Sequence, residues 1–458
     1  MPCNVSQTLW QPFEDELSGS LAILVQRVRD TLLKLLDRSS FGHNVLVLGG
    51  GTAVAQAVVV LTSPILSRLY TPADFGVLTV YVSIVTILSI VASLRYELAI
   101  PLPEREDVAA GLLALSILCV AVVSTLVALA TSVLREQIPV WTNTPAFRPH
   151  LWTLSMGLAA TGVYQILSYW AVREKAFRRL ARTRLSQSLG TVLTQLLLGV
   201  ATVGPLGLLL GQVVGQITAA CALATGRFRE SSQWPKKIGW TSMYSAAARY
   251  RRFPLLSTGS GLLNSAGLQL PPLLLATFFD TEVVGWFALG RRVVTMPMIL
   301  VGQSVAQVYV GEASRMVHKD AAALYRLYLK TAGRLALIGG LPIALLGLVA
   351  PPLFAFVFGE PWREAGRYVQ VLAVMSAAQF VVVPLSNTLN VLERQDLQLG
   401  WDAARLVLVV GAMFLANSRR LPPIWTIVAY GTSGAVAYIA LFVLSWAILR
   451  QVALQGAR

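Results

Sequence analysis

Acid is scarce in this chain. Its 458 residues include 22 Asp and Glu against 37 Lys and Arg, and charged residues of both signs make up only 13%. An ordinary soluble domain carries about 25%, which excludes that class. Among the carboxylates only Glu97 falls well inside a long apolar run; Glu174, Asp280, Glu282, Glu364 and Asp402 sit at run ends or turns. Exporters of cationic drugs driven by protons or sodium rely on a carboxylate within the membrane, so its scarcity argues against them. The three cysteines (Cys3, Cys119, Cys221) and three histidines (His43, His150, His318) have neither metal-ligand spacing nor the pattern of a disulfide framework. No glycine-rich loop ending in Lys is present to cradle ATP, and no nucleophile–His–acid set stands out. Neither an enzyme nor a metal or other cofactor is expected. No cleavable signal peptide is read at the start.

What the chain has is apolar length. Hydrophobic residues make up 55%, and mean hydropathy is +0.64. Twelve mostly apolar runs fall at 44–67, 75–100, 107–134, 150–172, 184–203, 206–225, 254–279, 283–310, 332–358, 364–390, 401–417 and 423–449. Most reach the roughly 20 residues that cross a bilayer as a helix. The expected fold is an all-α integral membrane protein with about twelve transmembrane helices in two six-helix bundles around a central cavity. With an even count, both termini share one side. If that side is cytoplasmic, inner segments hold 27 Lys and Arg, outer segments six, and spans the remaining four. This bias predicts cytoplasmic termini. Because the basic residues lie in loops between spans, it also explains the net charge of +15 better than nucleic-acid binding does.

Outer loops are too short for a folded domain of 50 or more residues. The longest inner loop, 226–253, reads as a cytoplasmic linker between lobes at 44–225 and 254–450. Residues 1–43 read as a cytoplasmic extension, with either an amphipathic interfacial helix over Leu17–Arg38 or a loose tail, and 451–458 as a cytoplasmic tail. A weak repeat supports the division. At an offset of 209, Gly76 meets Gly285, Gly50 meets Gly259, and Pro64 and Pro272 fall within one position of each other. Six spans separate the copies, so they share an orientation, as in two-lobed transporters built from parallel repeats.

The chemistry concentrates in the eighth run. Arg291 and Arg292 follow eight apolar or small residues, Val283 to Gly290. That places Arg291 about 12 Å into the span, near mid-membrane. A charge there costs at least about 2.5–3.5 kcal/mol and normally faces a cavity, partner or ligand; the alternative is a later helix start with the arginines snorkelling to the interface. Adjacent helical residues diverge by about 100°, so one is expected to face the cavity and the other a neighbouring helix. A cationic interior predicts an anionic substrate. Pro297 follows as a flex point, then Gln303 and Gln307 on one face. Run seven carries Asn264, Gln269, Pro271 and Pro272, and run one Gln56 and Pro64. The amides either bind sugar hydroxyls or bond helix to helix. Arg95 and Glu97, two apart, do not face each other on an ideal helix, so each is expected to have another partner, with Arg95 at the inner mouth of the cavity or setting topology at a helix end.

Ser67-Arg68-Leu69-Tyr70-Thr71-Pro72-Ala73-Asp74-Phe75-Gly76, followed by Leu94-Arg95-Tyr96-Glu97-Leu98-Ala99-Ile100, resembles the bacterial polysaccharide biosynthesis proteins of the oligosaccharide flippase family. These belong to the multidrug/oligosaccharidyl-lipid/polysaccharide exporter superfamily. Gly285 to Gln307 is similar to the matching family helix, and the resemblance runs from about 44 to 450. It implies two six-helix bundles in a V around a cationic cavity. It implies flipping of undecaprenyl-pyrophosphate-linked oligosaccharide across the bacterial inner membrane, with membrane lipids, a polysaccharide polymerase and chain-length proteins as further partners. Under it Arg291, Arg292 and Arg95 would meet the diphosphate, Gln303, Gln307, Asn264 and Gln269 the sugars, and Pro64, Pro272 and Pro297 would flex. The rivals are a multidrug antiporter of the same superfamily and a membrane glycan polymerase or ligase.

Overall fold

A computed structural model describes residues 40–230, 240–317 and 320–455. The segment Leu17–Arg38, the loop 231–239 and His318 lie outside the described residues, and Gln307 lies outside the described side chains. Among the described residues every regular element is helical. The first bundle comprises α1 Ser40–Leu61, α2 Ser63–Leu69, α3 Pro72–Ala92, α4 Glu106–Val133, α5 Trp152–Arg173, α6 Phe177–Val200 and α7 Pro205–Glu230. A connecting helix, α8 Trp240–Arg249, leads into the second. That bundle comprises α9 Thr258–Phe278, α10 Thr281–Pro297, α11 Gln303–Met316, α12 Ala321–Leu335, α13 Leu341–Phe358, α14 Arg363–Val391, α15 Gln395–Ser418 and α16 Pro423–Gln455. The joints α1–α2, α10–α11 and α12–α13 are breaks within continuous rods, the last two bridged by π-helical turns at Met298–Gly302 and Ala336–Gly340.

Eight of these rods are long and apolar enough to cross a membrane. The others are α5, α6, α9 and α10–α11, and three of these four line the interior cavities described below. Their low hydropathy has a local cause: Arg178, Arg179, Arg182 and Arg184 open α6, amides and serines interrupt α9, and two arginines sit in α10.

Local sequence fixes where the paired helices begin. Thr71 and Asp74 form a reciprocal capping box with Pro72 in the first turn of α3, an arrangement in which two orphan backbone donors are satisfied. At the offset of 209, Asp280 caps α10 by accepting from the Val283 N–H at 3.0 Å. The preceding helices end at Leu69 and Phe278, again 209 apart. The repeat therefore extends to caps and helix ends.

The lobes meet where these two helix starts cross. A Cβ on Gly76 would lie 1.8 Å from the Thr281 carbonyl oxygen, and one on Gly285 would lie 1.9 Å from the Pro72 oxygen. Each glycine thus packs on the first residue of the other copy's helix, a reciprocal contact of the kind a two-fold axis produces. With no water to drive association within lipid, such backbone approach supplies the packing. Around it, Ser67 Oγ donates to the Phe358 carbonyl at 3.0 Å, Trp362 Nε1 donates to the Ser67 carbonyl at 3.0 Å, and Phe75 meets Trp362 edge to face at 5.0 Å. This is the latch end of the molecule.

At the opposite end α3 breaks. Leu94 and Arg95 take left-handed φ values of 51° and 62°, and a 3-10 turn over Tyr96–Ala99 follows. The connecting helix α8 packs on α4, its Ala246 buried in a cluster with Leu112, Leu113 and Trp170.

Candidate cationic chamber

Helix α10 is wedged between α3 of one lobe and α14 of the other. Its two arginines consequently point to opposite sides of the lobe boundary. Arg292 lines a cavity of about 270 Å³ in the first lobe, with Gln56, Arg184, Gln187, Gln195 and Gln212. Arg291 lines a smaller one of about 40 Å³ in the second lobe, with Ser376, Gln379, Arg405 and Tyr438. Both also line a third cavity of about 310 Å³ between the lobes, with Ser83, Gln212, Gln269 and Thr295. The shared linings make the three adjoining chambers. The expectation that one arginine faces a cavity and the other a neighbouring helix is too simple: both line cavities, and Arg291 in addition bonds the neighbouring helix α9. A 100° divergence sends both into open space when the helix sits at a boundary with a cavity on each side.

The arginines differ in how they are held. Pro272 lacks the N–H that would have bonded the Leu268 carbonyl four residues earlier. Arg291 Nη1 donates to that freed oxygen at 3.2 Å, so the proline of α9 creates the acceptor that positions the guanidinium. Arg405 Nη1 donates to Tyr438 Oη at 3.1 Å, lies 3.6 Å from Asp402, and covers the Trp401 ring at 4.9 Å. Arg292 and Arg184 have no ion-pair partner among the described residues. Among the described residues no Asp or Glu lines any of the three cavities. A cation desolvated without a counter-ion is costly, and an anionic ligand removes that cost.

Gln269 sits in the interlobe cavity, where its Oε1 accepts from Ser83 Oγ at 3.1 Å. This amide bonds helix to helix across the lobe boundary. Asn264 and Gln303 are exposed and line none of these three cavities. Pro64 lies in the first turn of α2, just past the break at Thr62, and α10 ends at Pro297, where the π-helical turn begins.

Arg95 and Glu97 are also corrected. They are paired, Nη1 to carboxylate at 3.7 Å, with Glu97 only 1% exposed. Ser93 Oγ bonds the same carboxylate. The left-handed turn at Leu94 and Arg95 breaks the helical spacing on which the expectation of separate partners rested. The Arg95 guanidinium then reaches the opposite lobe, lying 2.5 Å from where a Gly261 Cβ would stand. Its Nε is buried without a hydrogen-bond partner.

Sequence reasoning missed Arg184 and Arg405 as chamber residues. Arg184 belonged to a basic cluster that the topology rule already explained. The signal for it was a polar stripe, Arg184, Gln187, Ser188, Thr191 and Gln195, on one face of α6. Among the described residues no group of three or more His, Cys, Asp or Glu side chains is placed to hold a metal.

The family model described as polysaccharide biosynthesis protein matches residues 65–367. The chain belongs to that family. A curated relative, the succinoglycan biosynthesis transport protein ExoT of Rhizobium meliloti (strain 1021), is 23% identical over 364 residues, 77% of this chain and 69% of ExoT. The teichuronic acid biosynthesis protein TuaB of Bacillus subtilis (strain 168) is 26% identical over 166 residues, so the chain spans only 34% of that relative's length and the match covers 36% of this chain. Among solved structures, the lipid II flippase MurJ in an inward closed conformation matches with a TM-score of 0.67 at 8% identity, covering 89% of this chain and 90% of MurJ. An inward-facing multidrug resistance MATE family transporter of the MOP superfamily matches with 0.64 at 13% identity, covering 89% of this chain and 95% of that one. The family member is thus a helical, multi-pass membrane protein with the two-lobed fold of these structures.

Proposed function

We propose that the protein moves an undecaprenyl-pyrophosphate-linked oligosaccharide, an O-antigen, exopolysaccharide or capsule repeat unit, across the bacterial inner membrane by alternating access. The observation that carries this reading is the row of adjoining chambers lined by Arg184, Arg292, Arg291 and Arg405 without a single carboxylate among the described residues. A diphosphate is doubly anionic, and planar guanidinium groups bind its oxygens in pairs. Arg291 and Arg292 hold it at the lobe boundary, and Arg95 receives it at the end opposite the latch. The glutamine-rich first-lobe cavity accepts sugar hydroxyls, while the lipid tail stays in the bilayer. The lobes 44–225 and 254–450 rock about the latch, with Pro64, Pro272 and Pro297 as flex points. Termini and the loop 226–253 are cytoplasmic, as the Lys and Arg bias favours, which puts the latch on the outer face. A multidrug antiporter would need an acid in the chamber for its cationic cargo, and the lining offers none.

Reconstituted into liposomes, the protein should make a fluorescent polyprenyl-diphosphate oligosaccharide on the inner leaflet accessible to an impermeant quencher. The same oligosaccharide on an uncharged lipid should stay put. Equal movement of both would reject the anion-binding chamber as the basis of transport. The Arg291 tether gives a second expectation. Pro272→Ala restores an N–H that competes for the Leu268 carbonyl, so transport should fall about fivefold, the equivalent of about 1 kcal/mol. Unchanged transport in that variant would show that the contact does not position Arg291 for substrate.

A further inference from the structure

Away from the chambers, α15 and α16 enclose a groove of about 410 Å³ on the bundle surface. Its walls are apolar, including Leu408, Leu415, Val428 and Val436, with Ala412 and Ala429 leaving room between them. One end closes on Trp425, 55% exposed, and on Arg419. From Trp425 to Val436 the groove follows about 16 Å of helix, the length of a substantial part of an acyl chain. Arg420 adjoins Arg419 in the same turn, and neither has an ion-pair partner among the described residues. Of the other arginines at the latch end, Arg135 and Arg148 both pair with Glu136, and Arg363 with Glu360, while Arg68 stands alone in the last turn of α2 without an ion-pair partner among the described residues. Two adjacent unpaired arginines stand out where the positive-inside bias leaves few.

We propose that this groove binds an anionic phospholipid, its phosphate on Arg419 and Arg420, its glycerol region beside Trp425, and one acyl chain between α15 and α16. Charge complementarity selects the headgroup, and the apolar walls hold the chain. The site is separate from the chambers and does not depend on what they carry.

Native mass spectrometry of the purified full chain tests this, with phosphatidylglycerol and phosphatidylcholine of identical chains as probes. The wild type should retain phosphatidylglycerol at least about tenfold better than phosphatidylcholine. Arg419→Ala with Arg420→Ala should lose that preference, and Arg419→Lys with Arg420→Lys should keep part of it. Ala429→Trp, which fills the groove but leaves both arginines, should lose retention of both lipids. A wild type without headgroup preference overturns the proposal, as does full retention in the alanine pair or in Ala429→Trp. Displacement of phosphatidylglycerol by an equal concentration of a polyprenyl diphosphate would also overturn it, by assigning the groove to a transported lipid's tail.

Discussion

Replacing Arg291 and Arg292 together by alanine should reduce transport of a diphosphate-linked oligosaccharide by about 10²-fold or more while leaving the protein folded. A hydrogen bond to a charged group is worth about 1.5–3 kcal/mol, and each 1.4 kcal/mol is a factor of ten. Two guanidinium groups facing one diphosphate therefore account for at least two decades. The stability outcome separates a binding role from a structural one. Arg292 has no ion-pair partner among the described residues, so Arg292→Ala removes an unpaired, half-buried cation and leaves no counter-ion behind. Its thermal unfolding midpoint in detergent should be equal to or above that of the wild type, even as transport is lost. Such a trade-off is expected where a site keeps a costly group for function. Arg291→Ala differs, because it orphans the Leu268 carbonyl and should lower the midpoint slightly. Lysine at either position keeps charge without the bidentate fork and should give intermediate rates. Full transport by the alanine pair would remove the chambers from the mechanism.

The sequence read well wherever a single helix carries its own information. The apolar run read from residue 75 is a helix, and the capping chemistry of Thr71, Pro72 and Asp74 starts it at Pro72, three residues earlier. The arginine pair was visible because a charge among apolar neighbours needs no partner to be conspicuous. What failed required knowledge of the neighbours. Asn264 and Gln303 are polar residues in apolar runs, yet which face of a helix meets a cavity depends on where the other helices stand, and both lie outside the three chambers. Arg405 was noted only as one of four basic residues within spans, since nothing in α15 alone indicates that Gly267, Gln379 and Tyr438 converge with it. The Arg95–Glu97 pair was misread for a local reason: left-handed backbone at Leu94 and Arg95 uses neither Gly nor Asn, the residues that ordinarily announce it. Gln269, among the candidate amides whose side chains are described, combined its polar type with a place where the lobes approach each other, and there it links them through Ser83.

The latch yields the other large effect. Gly76→Ala and Gly285→Ala should each lower transport about tenfold or more, and by similar amounts. A new Cβ would stand 1.8 or 1.9 Å from a backbone carbonyl oxygen of the facing helix. No rotamer relieves that overlap, so the helix starts must separate by at least about 1 Å. Overpacking of this kind costs about 1–3 kcal/mol where a core yields; here a rigid capped helix end must move. If closing at this end is half of the transport cycle, the closed state is penalised and the chamber stays accessible from the latch side. A cysteine placed at Thr79, which lines the interlobe cavity, should then react faster with an impermeant maleimide applied from that side. Because both substitutions burden one reciprocal contact, the double variant should do less than the product of the two single effects. Gly411→Ala supplies the control: no atom lies within 4 Å of its added Cβ, and alanine favours the helix, so transport and stability should hold. Unequal effects at Gly76 and Gly285 would show that the contact is not reciprocal in function. Normal transport in both would mean that closure of the two lobes does not run through their paired helix starts.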